Sequence, residues 1–102
     1  MIKHIVFFNL AENAEGKNRA ENARIIKEEL EKLSSRIAGL RRIEVGINAS
    51  EAPQDNYHLA LYCEFDSFDD LNAYQVHPEH QRVAAYIAKV KTARACVDYQ
   101  AG

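Results

Sequence analysis

The sequence is poor in the features that most quickly identify a function. Its two cysteines, Cys63 and Cys96, are too few for a disulfide framework, and no Cys-x-x-Cys pair occurs. Each lies in an apolar, strand-like run, where a buried free thiol is expected. No apolar stretch approaches the ~18 residues of a membrane-spanning helix. The run Met1 to Leu10 is short, is interrupted by His4 and is followed by no small-residue cleavage site, so it does not read as a signal peptide. These absences fit a reducing, cytoplasmic setting. Charge of one sign is missing too: 13 Lys and Arg against 15 Asp and Glu give a net charge of -2 and a pI near 6.1. A nucleic-acid-binding face would show a basic surplus. Arg41-Arg42 and the stretch from Lys89 to Arg94 read as solvated surface charge, and no run of five like charges marks an interaction tail. There is no glycine-rich phosphate loop, no Gly-x-Ser-x-Gly elbow and no flavin fingerprint, so no cofactor is expected.

What remains is one domain, residues 1–102, with no repeat beyond a doubled βαβ pattern and no linker. A chain this short buries only ~60–65% of its unfolded surface, so pairing with a second copy is expected if both sheet faces are apolar. Ile2 to Leu10 predicts a strand, apolar on both faces and therefore central. Lys17 to Ala38 predicts a helix with a stripe at Ala23, Ile26, Leu30, Leu33 and Ile37, closed by Gly39 as a left-handed cap. Leu40 to Asn48 alternates, with Ile43, Val45 and Ile47 facing in, as an edge strand does. Tyr57 to Phe65 is a third strand. Ser67 is a helix N-cap, and a short helix follows through Val76. Pro78 disfavours helical geometry at His77 and starts a new helix that runs to about Val90, with His80, Val83, Ile87 and Val90 on one stripe. Arg94 to Tyr99 is the last strand, with Ala95, Val97 and Tyr99 alternating against Cys96 and Asp98.

The order β-α-β-β-α-β with right-handed crossovers predicts a four-stranded antiparallel sheet, ordered 4-1-3-2, with helices on one face. His4 and Asp98 then fall at the same end of the sheet, and Tyr74, His77 and His80 lie on the passage over that end. This convergence permits acid–base chemistry. His80, in a helix's first turn and partly buried, is biased toward the neutral imidazole. Asp98 would fix its tautomer, and Tyr74 would donate to a carbonyl or enolate oxygen. A structural reading stands beside this one. In it His80 is a satisfied core histidine, His4 hydrogen-bonds the last strand, His77 is a cap or boundary residue, Asp98 ties strand ends to a histidine, and Tyr74 is core with its hydroxyl at the surface. His58 is read as structural. His4, His77 and His80 would total three metal ligands, but the closest pair straddles a proline and no His-Glu-x-x-His spacing occurs, so no metal is expected.

Three pieces of the chain carry a family likeness: Ile2-Lys-His4-Ile-Val, the run from Phe65-Asp-Ser-Phe to Tyr74-Gln-Val-His77-Pro78-Glu-His80, and Val97-Asp98-Tyr99. In combination they resemble the stress-responsive A/B barrel (Dabb) family, essentially from Met1 to Gln100. The resemblance implies an α+β, ferredoxin-like protomer and a homodimer whose sheets pack into a dimeric α+β barrel. Some plant members are polyketide cyclases that close a poly-β-keto chain by an aldol step. By that likeness His80 corresponds to the general base, Tyr74 to its assistant and Asp98 to the group holding the histidine, with His4 and His77 in support. The expected ligand is a small apolar, carbonyl-containing molecule; a non-catalytic dimeric module is the alternative.

Overall fold

Alternation in the first strand sets up the whole fold. The computed structural model describes residues 1–102. In β1 (Ile2–Leu10) the side chains of Ile2, His4, Val6, Phe8 and Leu10 are all buried on one face. A strand sends successive side chains to opposite faces, so this face meets the helices and the other faces away from them. The sheet runs β4 (Leu40–Ile47), β5 (Leu59–Phe65), β1, β6 (Lys91–Gln100), antiparallel throughout, which is the expected order.

The polar loop after β1 holds a two-residue hairpin, β2 (Asn13–Ala14) against β3 (Lys17–Asn18). It turns at Glu15 and Gly16, both at positive φ. The first helix therefore starts two residues later than expected. α1 (Arg19–Glu31) is capped by Asn18, whose side chain accepts from the Glu21 amide while the Glu21 carboxylate accepts from Asn18 N–H. A single 3₁₀ turn, Lys32–Ser35, carries the helix's end, so the expected run to Ala38 is cut short. The expected stripe from Ala23 to Ile37 is buried throughout. Gly39 has a φ of 90°, where a larger residue is strained, and a Cβ there would meet the Asp70 side chain at 3.1 Å and push it aside.

α2 (Phe68–Val76) and α3 (Pro78–Val90) return the chain over the sheet, and Leu71, Tyr74, Val83, Ile87 and Val90 close the core. Ile47, expected to face inward, is 46% exposed because it ends the free edge strand. Cys63 is fully buried as expected, but Cys96 is exposed: β6 is the other edge of the sheet and the helices do not reach over it. The helix-free face carries Phe7, Val97 and Tyr99 at 38%, 50% and 41% exposure.

Candidate functional site

The α2–α3 junction positions the first part of the site. Pro78 forces His77 into extended geometry, with φ -65° and ψ 135°, so α2 stops there. The half-buried His77 ring serves as the cap of α3: its Nδ1 accepts from the Glu79 amide at 3.1 Å. That bond holds His77 at the boundary and away from the cavity described below. His80 follows in the first turn of α3. Its Nδ1–H donates to the carbonyl of Gln75 at 3.1 Å, since a carbonyl can only accept. The tautomer is thereby set, and the lone pair lies on Nε2. Burial, the Arg94 guanidinium and the neighbouring His4 and His77 hold the His80 pKa below its ordinary value, with burial the largest cause and the Gln75 bond opposing it. The Tyr74 ring packs against His80 at 4.4 Å between centroids, against Phe65 at 5.2 Å and against His4 at 6.2 Å.

The sheet positions the second part. His4 and Asp98 are direct cross-strand partners in the β1–β6 register. His4 Nδ1–H donates to Asp98 Oδ1 at 2.5 Å. Asp98 was expected to hold His80; it holds His4 instead, because β6 pairs with β1 while His80 stands on the helix layer above. The Nε2 atoms of both His4 and His80 have no protein partner. Neither is sealed from solvent, for the only buried side-chain atoms lacking a partner are Asn9 Oδ1 and Tyr74 Oη.

The two imidazoles share a cavity of about 240 Å³. Val6, Phe8 and Leu61 form its floor on the sheet, Leu30 comes from α1, and Ala84 and Ile87 come from α3. The Tyr74 side chain, expected to touch a ligand, is not part of the wall. It lies behind both rings with the Cys63 thiol beside its hydroxyl, and burial, together with that thiol, pushes its pKa far above the ordinary range. The Cys63 thiol is itself pushed up to about 12 by burial. Two wall residues had been read as surface charge: Lys91 and Arg94. The signal was present in the strand's alternation, which places Arg94 on the same face as Cys96 and Asp98. A larger, shallow hollow of about 740 Å³ lies on the helix-free face near Phe7, Gly46 and Tyr57, and neither His4 nor His80 lines it.

A metal would find a different donor set from the three histidines weighed above. His4 Nδ1, Cys96 Sγ and Asp98 Oδ1 lie within 4.8 Å of one another. Bonds of ~2.0–2.1 Å hold tetrahedral nitrogen and oxygen ligands roughly 3.3 Å apart, whereas His4 and Asp98 are at 2.5 Å. The arrangement present is a hydrogen bond, and Cys96 stands beside it with a thiol pKa raised by burial and by Asp98.

Solved structures share this architecture. A dimeric, ferredoxin-like protein of unknown function from Bacteroides fragilis is 39% identical, with 97% of this chain and 94% of that one covered and a TM-score of 0.86. A second dimeric ferredoxin-like protein of unknown function, from Thermobifida fusca, is 28% identical over 96% of this chain and 88% of that one, with a TM-score of 0.80. A third, from Jannaschia sp. CCS1, is 25% identical over 98% of each, with a TM-score of 0.75. No curated protein matches the sequence. The family model of the Stress responsive A/B Barrel Domain (Dabb) matches residues 2–101, and the chain belongs to that family.

Proposed function

We propose that the protein works as a homodimer that binds a small, mainly apolar, carbonyl-containing molecule in the cavity beside His80 and assists proton transfer there without a cofactor. The observation that carries this is the cavity itself: six apolar walls and two imidazoles, each with an unpartnered Nε2. At about 240 Å³ it falls just under the ~300 Å³ at which pockets for drug-sized ligands begin, so the molecule is small. His80 is the base. The Gln75 carbonyl fixes its tautomer and burial keeps it neutral, so Nε2 can take a proton from the carbon next to a carbonyl. His4, whose Nδ1–H is held by Asp98, presents a second imidazole to the cavity, with Nε2 as an acceptor. Tyr74 positions His80 by packing, and His77 holds the start of α3. Dimerisation buries the apolar helix-free face, a reading supported by the dimeric relatives.

Solvent deuterium wash-in tests the chemistry. In D₂O the wild type is expected to speed α-deuteration of heptan-2-one above the buffer rate, and His80→Gln to lose ~10²-fold or more of that gain while melting within a few degrees of wild type. A wild-type rate equal to that of buffer sinks the catalytic reading. The second reading, a non-catalytic binding module, is favoured by the short His4–Asp98 tie, which latches β1 to β6 whether or not chemistry occurs. It expects His80→Gln to lower stability while ligand binding per folded molecule stays the same.

A further inference from the structure

The cavity has a charged end, and that end selects its ligand. Lys91 and Arg94 both line it, and the lining includes no acidic side chain. No carboxylate of the chain lies within ion-pair distance of either cation, although Lys27, Lys32, Arg36, Arg41, Arg42, Arg82 and Lys89 all have such partners. The nearest acid on the same strand face, Asp98, is committed to His4. Arg94 nevertheless lies close enough to His80 to help keep it neutral. An unpaired guanidinium beside an apolar cavity is suited to a planar anion, which it can bind through two parallel hydrogen bonds.

A simpler account is available for Lys91 alone. It caps the C-terminus of α3, where a cation offsets the helix dipole. It does not cover Arg94, which lies beyond the helix, on the cavity side of β6 opposite Phe8. Along the strand, Arg94 is four residues from Asp98, or ~13 Å at ~3.3 Å per residue. The backbone of Arg94 therefore lies well along the strand from the His4–Asp98 pair, while His80 is nearer to its guanidinium.

Resting on the cavity reading above, we infer that the ligand is a carboxylate: an elongated, mainly apolar acid whose carboxylate pairs with Arg94 and Lys91 while its reactive carbonyl meets the histidines. The apolar walls hold the chain between the two ends. Carboxylate is preferred to phosphate because the cations adjoin a narrow, mainly apolar cavity, and a planar anion matches the guanidinium.

Octanoate and its neutral isostere octanamide separate these ideas, with binding followed by NMR at the His80 ring resonances. Octanoate is expected to bind at least tenfold more tightly than octanamide, with a preference that shrinks as salt rises. Arg94→Gln combined with Lys91→Gln is expected to abolish that preference while octanamide affinity stays the same. Equal affinity of the wild type for the two compounds, with the His80 signals moving in both titrations, overturns the anion subsite and leaves the cavity reading intact. A preference that survives both substitutions overturns its assignment to these residues. No response of the His80 signals to either compound at millimolar concentration overturns both readings.

Discussion

Burial lowers the pKa of both His80 and His58. His80 is disfavoured as a cation chiefly by burial. His58 is disfavoured by burial and by Arg19, and its Nδ1 already accepts the Leu10 amide, so protonation at that nitrogen would break a bond. Both pKa values lie below the ordinary 6.5. Between the folded value and 6.5 the unfolded chain binds more protons, so stability is complete above 6.5 and falls as pH drops through that window. Melting temperature is expected to decline from pH 6.5 toward pH 5, and His80→Gln to flatten part of that slope; an unchanged slope would show that His80 is not desolvated. Tyr74 offers a second test at this scale. Its hydroxyl is buried with only the Cys63 thiol, a weak acceptor, beside it, and leaving such a group unsatisfied costs ~1–3 kcal/mol. Tyr74→Phe is expected to raise stability by about 1 kcal/mol in urea titration, and a loss of that size would mean the hydroxyl has a bond in solution.

At the scale of elements, the junction of α2 and α3 decides where His80 stands. Its cause was visible in the chain: Pro78 cannot follow a helical residue without a clash, and it suits the first turn of the next helix. The reading of His77 as a cap or boundary residue holds, although histidine is not among the usual N-cap residues. His77→Ala is expected to cost about 1 kcal/mol of stability through the lost bond to the Glu79 amide. Deuterium wash-in per folded molecule should stay at the wild-type level; a large loss of rate at unchanged stability would place His77 in the chemistry. The start of α1 was misplaced for a related reason. Asn18 and Glu21 form a reciprocal cap, but the hairpin that ends at Asn18 spans only four paired residues, too short to leave a periodic signal.

For the whole molecule, the sheet's two faces have different fates. One is filled by three helices; the other leaves Phe7, Val97 and Tyr99 exposed, with Ile5 and Tyr62 half-buried beside them. Burying such a face in a second copy is favourable at ~25 cal/mol per Å² of apolar surface before the costs of association. Phe7→Glu would place a charge without a partner in that contact. Sedimentation velocity at micromolar concentration is expected to show a dimer for the wild type and a monomer for Phe7→Glu; a wild-type monomer would refute the pairing.

Residue order alone determined the four strands of the main sheet, the three helices apart from the ends of α1, the sheet order and the parity that sets His4 and Asp98 on one face. Those features follow from local geometry: period two for a strand, period 3.6 for a helix, and a fixed backbone angle at proline. Which groups then touch depends on how one layer sits on another. A hydrogen bond needs partners within about 3 Å, and a shift of one or two ångströms between helix and sheet exchanges one partner for the next. Asp98 accordingly holds His4 rather than His80, Tyr74 lies behind the cavity wall, and the exposed Arg94 lines the cavity. No local rule encodes that shift; only the packed core of sheet against helices fixes it.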